Sequence, residues 1–220
     1  QASGTFPRIY FNNGGDKDKI LTVEQWGDIA WVSMDRAFRG CSNLRVPATD
    51  APDLSNVTSL YAMFEKASAF NDPIDHWDVS SVTSMGKLFD SATSFNQPLN
   101  NWDTSSNTDA RWLFARSNFN QPLDQWDMSQ VGVAWVMFRN SPFNQPINTW
   151  DVSSLEHAGR MFQGTPFNQP LDNWNTQNLE FMQYMFAENS SFDQDLSTWN
   201  ISSTTNMTNM FFDAGLSTDN

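Results

Sequence analysis

From Phe70 onward the apolar positions fall at Phe70, Ile74, Trp77, Val79, Val82, Met85, Leu88, Phe89 and Ala92, with polar residues between them. Trp77, Asp78 and Val79 alternate, which suits a short strand, whereas Val82, Met85, Leu88 with Phe89, and Ala92 recur at helical spacing. Ser80 and Ser81 precede the helical run, where a hydroxyl can cap free backbone N–H groups. The pattern therefore predicts a coil made of a strand, a capped helix and a Phe-Asn-Gln-Pro return turn, with proline ending the helix.

The same pattern is written again and again. FNDPIDHWD begins at Phe70, and near-copies begin at Phe95, Phe119, Phe143, Phe167 and Phe192, in steps of 25, 24, 24, 24 and 25 residues. A second block follows each copy and ends at Phe89, Phe114, Phe138, Phe162, Phe186 and Phe211, and two degenerate units end at Phe38 and Phe64. A period of this length is the mark of a solenoid, in which each unit buries its apolar side only against its neighbours. The expected fold is an α/β solenoid of about eight strand-helix repeats of 24–25 residues, with residues 1–30 as an N-terminal cap, 31–216 as the array and 217–220 as a tail. In such a stack the Phe70, Trp77 and Asn71 positions become columns: two aromatic ladders for the core, and a row of amides that can satisfy backbone groups in neighbouring turns.

The combination FNQPLxxWDVSSVTxMxxMF, with KILTVEQWGDIAWVSMDRAFRGCSNL and DAPDLSNVTSLYAMF upstream, resembles the BspA-type leucine-rich-repeat surface proteins of bacteria from about residue 18 to residue 213. The resemblance implies a right-handed, leucine-rich-repeat-like coil displayed on a cell surface or in a secreted adhesin, with no catalytic residues. Asn107 and Thr204, polar where Val82 sits, and the coil with Gly132, Val133 and Trp135 depart from the pattern.

Composition narrows the function. With 18 Phe and 10 Trp against 3 Tyr, most rings need burial, while a formal charge of −13 must lie outside. That charge argues against nucleic acid and anionic membrane as partners, since both are held through Lys and Arg. The single cysteine, Cys41, excludes an internal disulfide and a cysteine zinc site. No stretch is long and apolar enough for a membrane helix and no signal peptide stands at the start, so the chain reads as mature or excised. Its end at LSTDN lacks the polar closing unit that solenoids need, so it also reads as part of a longer polypeptide.

Three surfaces are candidates for binding. If Trp77 and Val79 face inward, His76 and Asp78 face outward, and their columns run through Asn101, Gln125, Thr149 and Asn173 on one side and Asp103, Asp127 and Asp151 on the other. The variable polar column suits a peptide backbone or a sugar, or is simply solvated. The carboxylates repel one another; either each accepts bonds from the following Ser backbone in an Asx turn, or a cation, with calcium the obvious choice, bridges Asp103, Asp127 and Asp151. The third surface lies on the helical side, where Trp112 and Trp135 stand with Tyr61, Arg111 and Tyr184 at positions held elsewhere by small or charged residues. They form an interface patch, or they fill space left by Ala110, Ala134 and Ala158.

No enzymatic constellation is present: His76 and His157 lie in different columns, Gly14-Gly15 opens no phosphate loop, and Asp16 and Asp18 lack the rest of a calcium loop. The expectation is a non-enzymatic, extracellular binding module of an adhesin that recognises a peptide, protein or glycan; the alternative is a structural spacer or assembly unit of a larger surface protein.

Overall fold

A computed structural model describes residues 8–217. Successive copies of the repeat are joined in parallel by single-residue β-bridges, Ser59 to Ser84, Ser84 to Asp109, Asp109 to Val133, Val133 to His157, His157 to Phe181 and Phe181 to Asn206. Each 24–25-residue repeat is thus one coil of a stack in register. The N-terminal segment is part of the same body: Phe11, Asn12 and Asn13 donate their N–H groups to carbonyls of Ala37, Arg36 and Arg39, and further bridges join Thr22 to Arg45 and Ala30 to Asp53. Residues 1–7 of the expected cap and 218–220 of the expected tail lie outside the described residues.

The strand-helix unit is not there. The described residues contain no helix, and strand pairing is confined to those isolated bridges, so the α/β, leucine-rich-repeat-like reading is wrong. Trp77–Val79 is not a strand; the bridge falls later, at Ser84. The run from Met85 to Ala92 is a chain of overlapping turns in which Leu88 N–H bonds Met85 O, Asp90 bonds Lys87 and Ala92 bonds Phe89. Lys87 and Ser91 sit at φ near +60°, four residues apart, and Trp112 with Arg116, Val136 with Asn140, Arg160 with Gly164 and Tyr184 with Glu188 repeat the arrangement. A positive φ at the third residue of a turn is the type II geometry. The intervening N–H groups point out of the coil: Met85, Lys87, Phe89 and Ser91 donate to Asp109, Arg111, Leu113 and Ala115 of the next. A four-residue turn period places Met85, Leu88 with Phe89, and Ala92 inward much as a helix would, which is why the spacing misleads.

The core explains why helices are excluded. Phe38, Phe64, Phe89, Phe114, Phe138, Phe162, Phe186 and Phe211 stack as one ladder with ring centroids 5.6–5.9 Å apart. Packed helices need about 8–10 Å between axes, whereas neighbouring extended chains need about 4.8 Å. The Phe70 column forms a second ladder, each ring 3.8–4.2 Å from its partner in the first. Except for the half-buried Phe211, these rings are completely buried, each contributing roughly 2 kcal/mol by the area removed from water. The Trp column runs beside them, and Trp102, Trp126, Trp150, Trp174 and Trp199 each donate the indole N–H to an Ile or Leu carbonyl one coil back at 2.8–3.1 Å.

The alternation of 24 and 25 residues has a local cause. Where one more residue separates a turn from the next Phe, as after Ala92, Phe95 N–H bonds Ala92 O at 2.9 Å. In the shorter coils Ser117, Ser141 and Thr165 donate their hydroxyls to Phe114, Phe138 and Phe162 carbonyls at 2.7–2.8 Å and accept from the N–H of Phe119, Phe143 and Phe167. A side-chain hydroxyl stands in for a backbone carbonyl and saves one residue.

Candidate functional site

Two faces of the stack carry the candidate residues, and they are built differently. On the face formed by the return loops, coils are joined through side chains. Asn71, Asn96, Asn120, Asn144 and Asn168 each accept, through the amide oxygen, the N–H of the equivalent residue one coil on at 2.9–3.0 Å. Gln121, Gln145, Gln169 and Gln194 donate to the same oxygens at 2.8–3.2 Å.

The outward columns are exposed but locally engaged. Asp78, Asp103, Asp127 and Asp151 form Asx turns, accepting the N–H of Ser80, Ser105, Ser129 and Ser153 at 2.8–3.0 Å; Asn175 and Asn200 make the same turn with Gln177 and Ser202. Ser hydroxyl and N–H bonds hold the carboxyls of Asp78, Asp103 and Asp151 below the usual range. In the neighbouring column, Asn101 bonds Asp75 through N–H and amide, and Gln125 bonds Asn100 and Asp124. Thr149 reaches Asp124 O at 3.3 Å, Asn173 N–H bonds Asn148, and His76 lies 3.4 Å from Asp50 O. No three His, Cys, Asp or Glu side chains among the described residues are gathered to hold a metal ion, the Asp103, Asp127 and Asp151 set included. A polar cleft of about 300 Å³ at the edge of this face is lined by Ser154, Glu156, Asn178, Glu180 and Ser203. Every Asp, Glu, Lys or Arg position in 70–83, 95–108, 119–132, 143–156, 167–180 and 192–205 is acidic.

On the opposite face the backbone ladder joins the coils, and the side chains are free to differ. Trp112 and Trp135 meet edge to face, centroids 5.6 Å apart. Lys87 Nζ lies 5.4 Å and the Arg116 guanidinium 5.0 Å from the Trp112 ring, distances at which a cation is drawn to the π cloud. Trp135 is 38% exposed, so it does not fill a core gap beside Ala134. Arg160 covers Tyr184 at 4.3 Å and Arg36 covers Tyr61 at 5.0 Å. Gly86 makes room for its neighbours: a Cβ there would lie 3.1 Å from Tyr61, 3.2 Å from Asp109 and 3.4 Å from Arg111. Arg111 is bound to Asp109 through Nε at 2.8 and 2.9 Å and through Nη2 at 2.7 Å rather than joining the Trp pair.

The column pattern did not single out the His157–Phe181 pair or Arg139. His157 and Phe181, adjacent on the bridge column, stack at 4.4 Å with planes 1° apart. Their signal in the sequence was two rings at one repeat offset, hidden because the bridge position was assigned elsewhere. Arg139 has a buried Nε with no hydrogen-bond partner among the described residues. In the turn ladder from Ser84 to Gly164 the cations are Lys87, Arg111, Arg116, Arg139 and Arg160 and the acids only Asp90 and Asp109. Both acids are paired, Asp90 to Arg116 at 2.6 Å and Asp109 to Arg111 at 2.7 Å. Burial pushes the Asp90 carboxyl up despite Arg116 beside it. Lys87, Arg139 and Arg160 have no ion pair among the described residues. From Ser84 to Gly164 this face is therefore cationic and aromatic, and its next segment adds Tyr184 and one acid, Glu188, which accepts from Gln163. Cys41 is buried, its thiol pushed up to about 12 by burial, and takes no part in either face.

Stacked coils of this build define a repeat protein whose core is a set of aromatic ladders. The chain belongs to the family described as "Mycoplasma protein of unknown function, DUF285", which it matches over residues 32–142 and again over 136–220. No curated protein and no solved structure matches it.

Proposed function

We propose that this chain is a non-catalytic binding module that recognises a glycan, peptide or protein through its turn-ladder face. The observation that carries this reading is the exposed Trp135 paired at right angles with Trp112, whose ring Lys87 and Arg116 approach. Trp, Tyr and Arg supply most of the energy at binding surfaces. Resemblance to BspA-type surface proteins supports display on a bacterial cell or in a secreted adhesin. The saturated return-loop face favours the second reading, a spacer or assembly unit, because polar groups already bonded to neighbouring coils have little left for a ligand. A glycan, peptide and protein array probed with the native chain and with the Trp112→Ala/Trp135→Ala double variant separates the two. The binding reading requires saturable signals that the variant loses; signals equal for both proteins would leave the spacer.

A further inference from the structure

Resting on the reading above, we infer that the turn-ladder face is a site for an acidic polysaccharide lying across the coils, with Trp135 stacking a sugar ring and Arg139 taking its carboxylate or sulfate. The first ground is charge. The return loops from Phe70 onward carry only acids, so a polyanion is repelled there and drawn to the ladder, where Lys87, Arg139 and Arg160 lack ion pairs among the described residues. A surface potential of one sign confined to one face selects and steers an oppositely charged polymer.

The second ground is an unsatisfied group. The buried Nε of Arg139 has no partner, and neither has the buried amide oxygen of Gln183 on the same face. Leaving such groups unpaired is costly, so each marks a place where an incoming donor or acceptor gains more than its ordinary bond. A guanidinium offers a planar fork to a carboxylate or sulfate. Trp135 and Arg139 stand four residues apart in one coil of the ladder. A ring and an anion on one sugar unit match that pairing.

The third ground is repetition. Rings recur from coil to coil, Trp112 to Trp135 and His157 to Phe181, with Tyr184 alongside. Interleaved with them are the cations and the amides of Gln163 and Gln183. The positions differ from coil to coil, so a polymer with one ring and one anion per unit meets several rings and cations along the face rather than one repeated site. An acidic polypeptide brings the charge without the rings, which makes it the discriminating control.

The test is titration calorimetry of the whole chain with alginate, heparin, neutral dextran and polyglutamate, at low and at raised salt. Alginate or heparin should bind, dextran should not, and polyglutamate should bind at least about tenfold more weakly. Raised salt should weaken the binding, as screening requires. Trp135→Ala and Arg139→Ala should each lower affinity about tenfold, the size typical of a hot-spot residue, with unfolding midpoints checked to confirm that each variant is folded. Polyglutamate binding as tightly as alginate, no binding of either acidic polysaccharide, or indifference to both substitutions overturns the inference. A neutral glycan or protein that binds in a Trp135-dependent way, while alginate and heparin do not, overturns it and leaves the binding-module reading standing. Loss of every Trp135-dependent signal sinks both.

Discussion

The return-loop face and the turn-ladder face stack the same coils at the same spacing, but by different means. Between Phe95 and Asn107 no backbone-to-backbone bond joins one coil to another; side-chain amides, carboxylates and the indole do it. On the ladder, Met85, Lys87, Phe89 and Ser91 hand their own N–H groups to the next coil, and the pattern continues in coil after coil. Where side chains make the stacking bonds, sequence has to repeat; where the backbone makes them, sequence is free. The variable side of a repeat is thus the one available to a ligand, and here it gathers the cations and exposed rings.

Removing a side chain from the repeated face should cost the most stability. Asn120 Oδ1 accepts both Asn144 N–H and Gln145 Nε2; Asn120→Ala leaves the half-buried Asn144 N–H unpaired, while Gln145 Nε2 keeps the Asn120 backbone carbonyl at 3.2 Å. A loss of about 2 kcal/mol is expected in chemical denaturation, because an orphaned donor costs about 1–3 kcal/mol, less where water can reach it. A loss below half a kcal/mol, roughly the noise of surface substitutions, would mean that the amide row is decorative.

The ladder should instead be sensitive through its backbone. Gly164 sits at φ +66°, and an added Cβ would come within 2.3 Å of the Asn140 amide oxygen. That amide is the far end of a flexible side chain and can move, so Gly164→Ala should cost about 1–2 kcal/mol, chiefly the left-handed penalty, read as a lowered unfolding midpoint. An unchanged midpoint would show that the turn can relax out of its positive φ.

How far the sequence discloses this architecture follows from the same division. The columns of Phe119, Trp126 and Asn120 are legible because stacking requires identity at a fixed period, and each occupies a ladder. The helix expected over Val82–Ala92 was an error of a particular kind. Turns repeating every four residues and a helix turning every 3.6 put nearly the same residues inside. The residues that would betray the turns carry no glycine signature: Lys87, Trp112, Val136, Arg160 and Tyr184 all hold positive φ, a state in which bulky residues are uncommon. On the candidate site, Trp112 and Trp135 stood out as departures from their columns. Arg139 did not, since its significance is an unmet hydrogen bond that only the fold reveals.

Trp135 is the converse of Asn120. Its ring is 38% exposed and pairs with Trp112 at 88°, so Trp135→Ala should cost less than Asn120→Ala, about 1 kcal/mol of it from the aromatic pair. The unfolding midpoint should move less than in the Asn120→Ala chain, even if ligand binding is lost. A large destabilisation would reverse the comparison by making the ladder side chains structural.

The smallest effect is expected at Asp103, and it sharpens the contrast by pH. Its Asx turn with Ser105 is also made by Asn175 and Asn200 in their own coils, so Asp103→Asn should change stability by less than about 0.5 kcal/mol at pH 7. The Ser105 hydroxyl and N–H hold the Asp103 carboxyl below its ordinary value. The stability it adds is therefore present above the unfolded value, about 3.9, and is lost as pH falls through the lower folded value. Asp90 on the ladder works the other way: burial raises its carboxyl, so its favourable contribution exists below the unfolded value and disappears as pH rises through the folded one. Unfolding curves from pH 2 to 7 should show the Asp103→Asn chain losing slightly less stability on acidification than the native chain. An identical pH dependence would show that the Asx turn holds as well with a protonated carboxyl, and that the two faces differ in bonding but not in electrostatics.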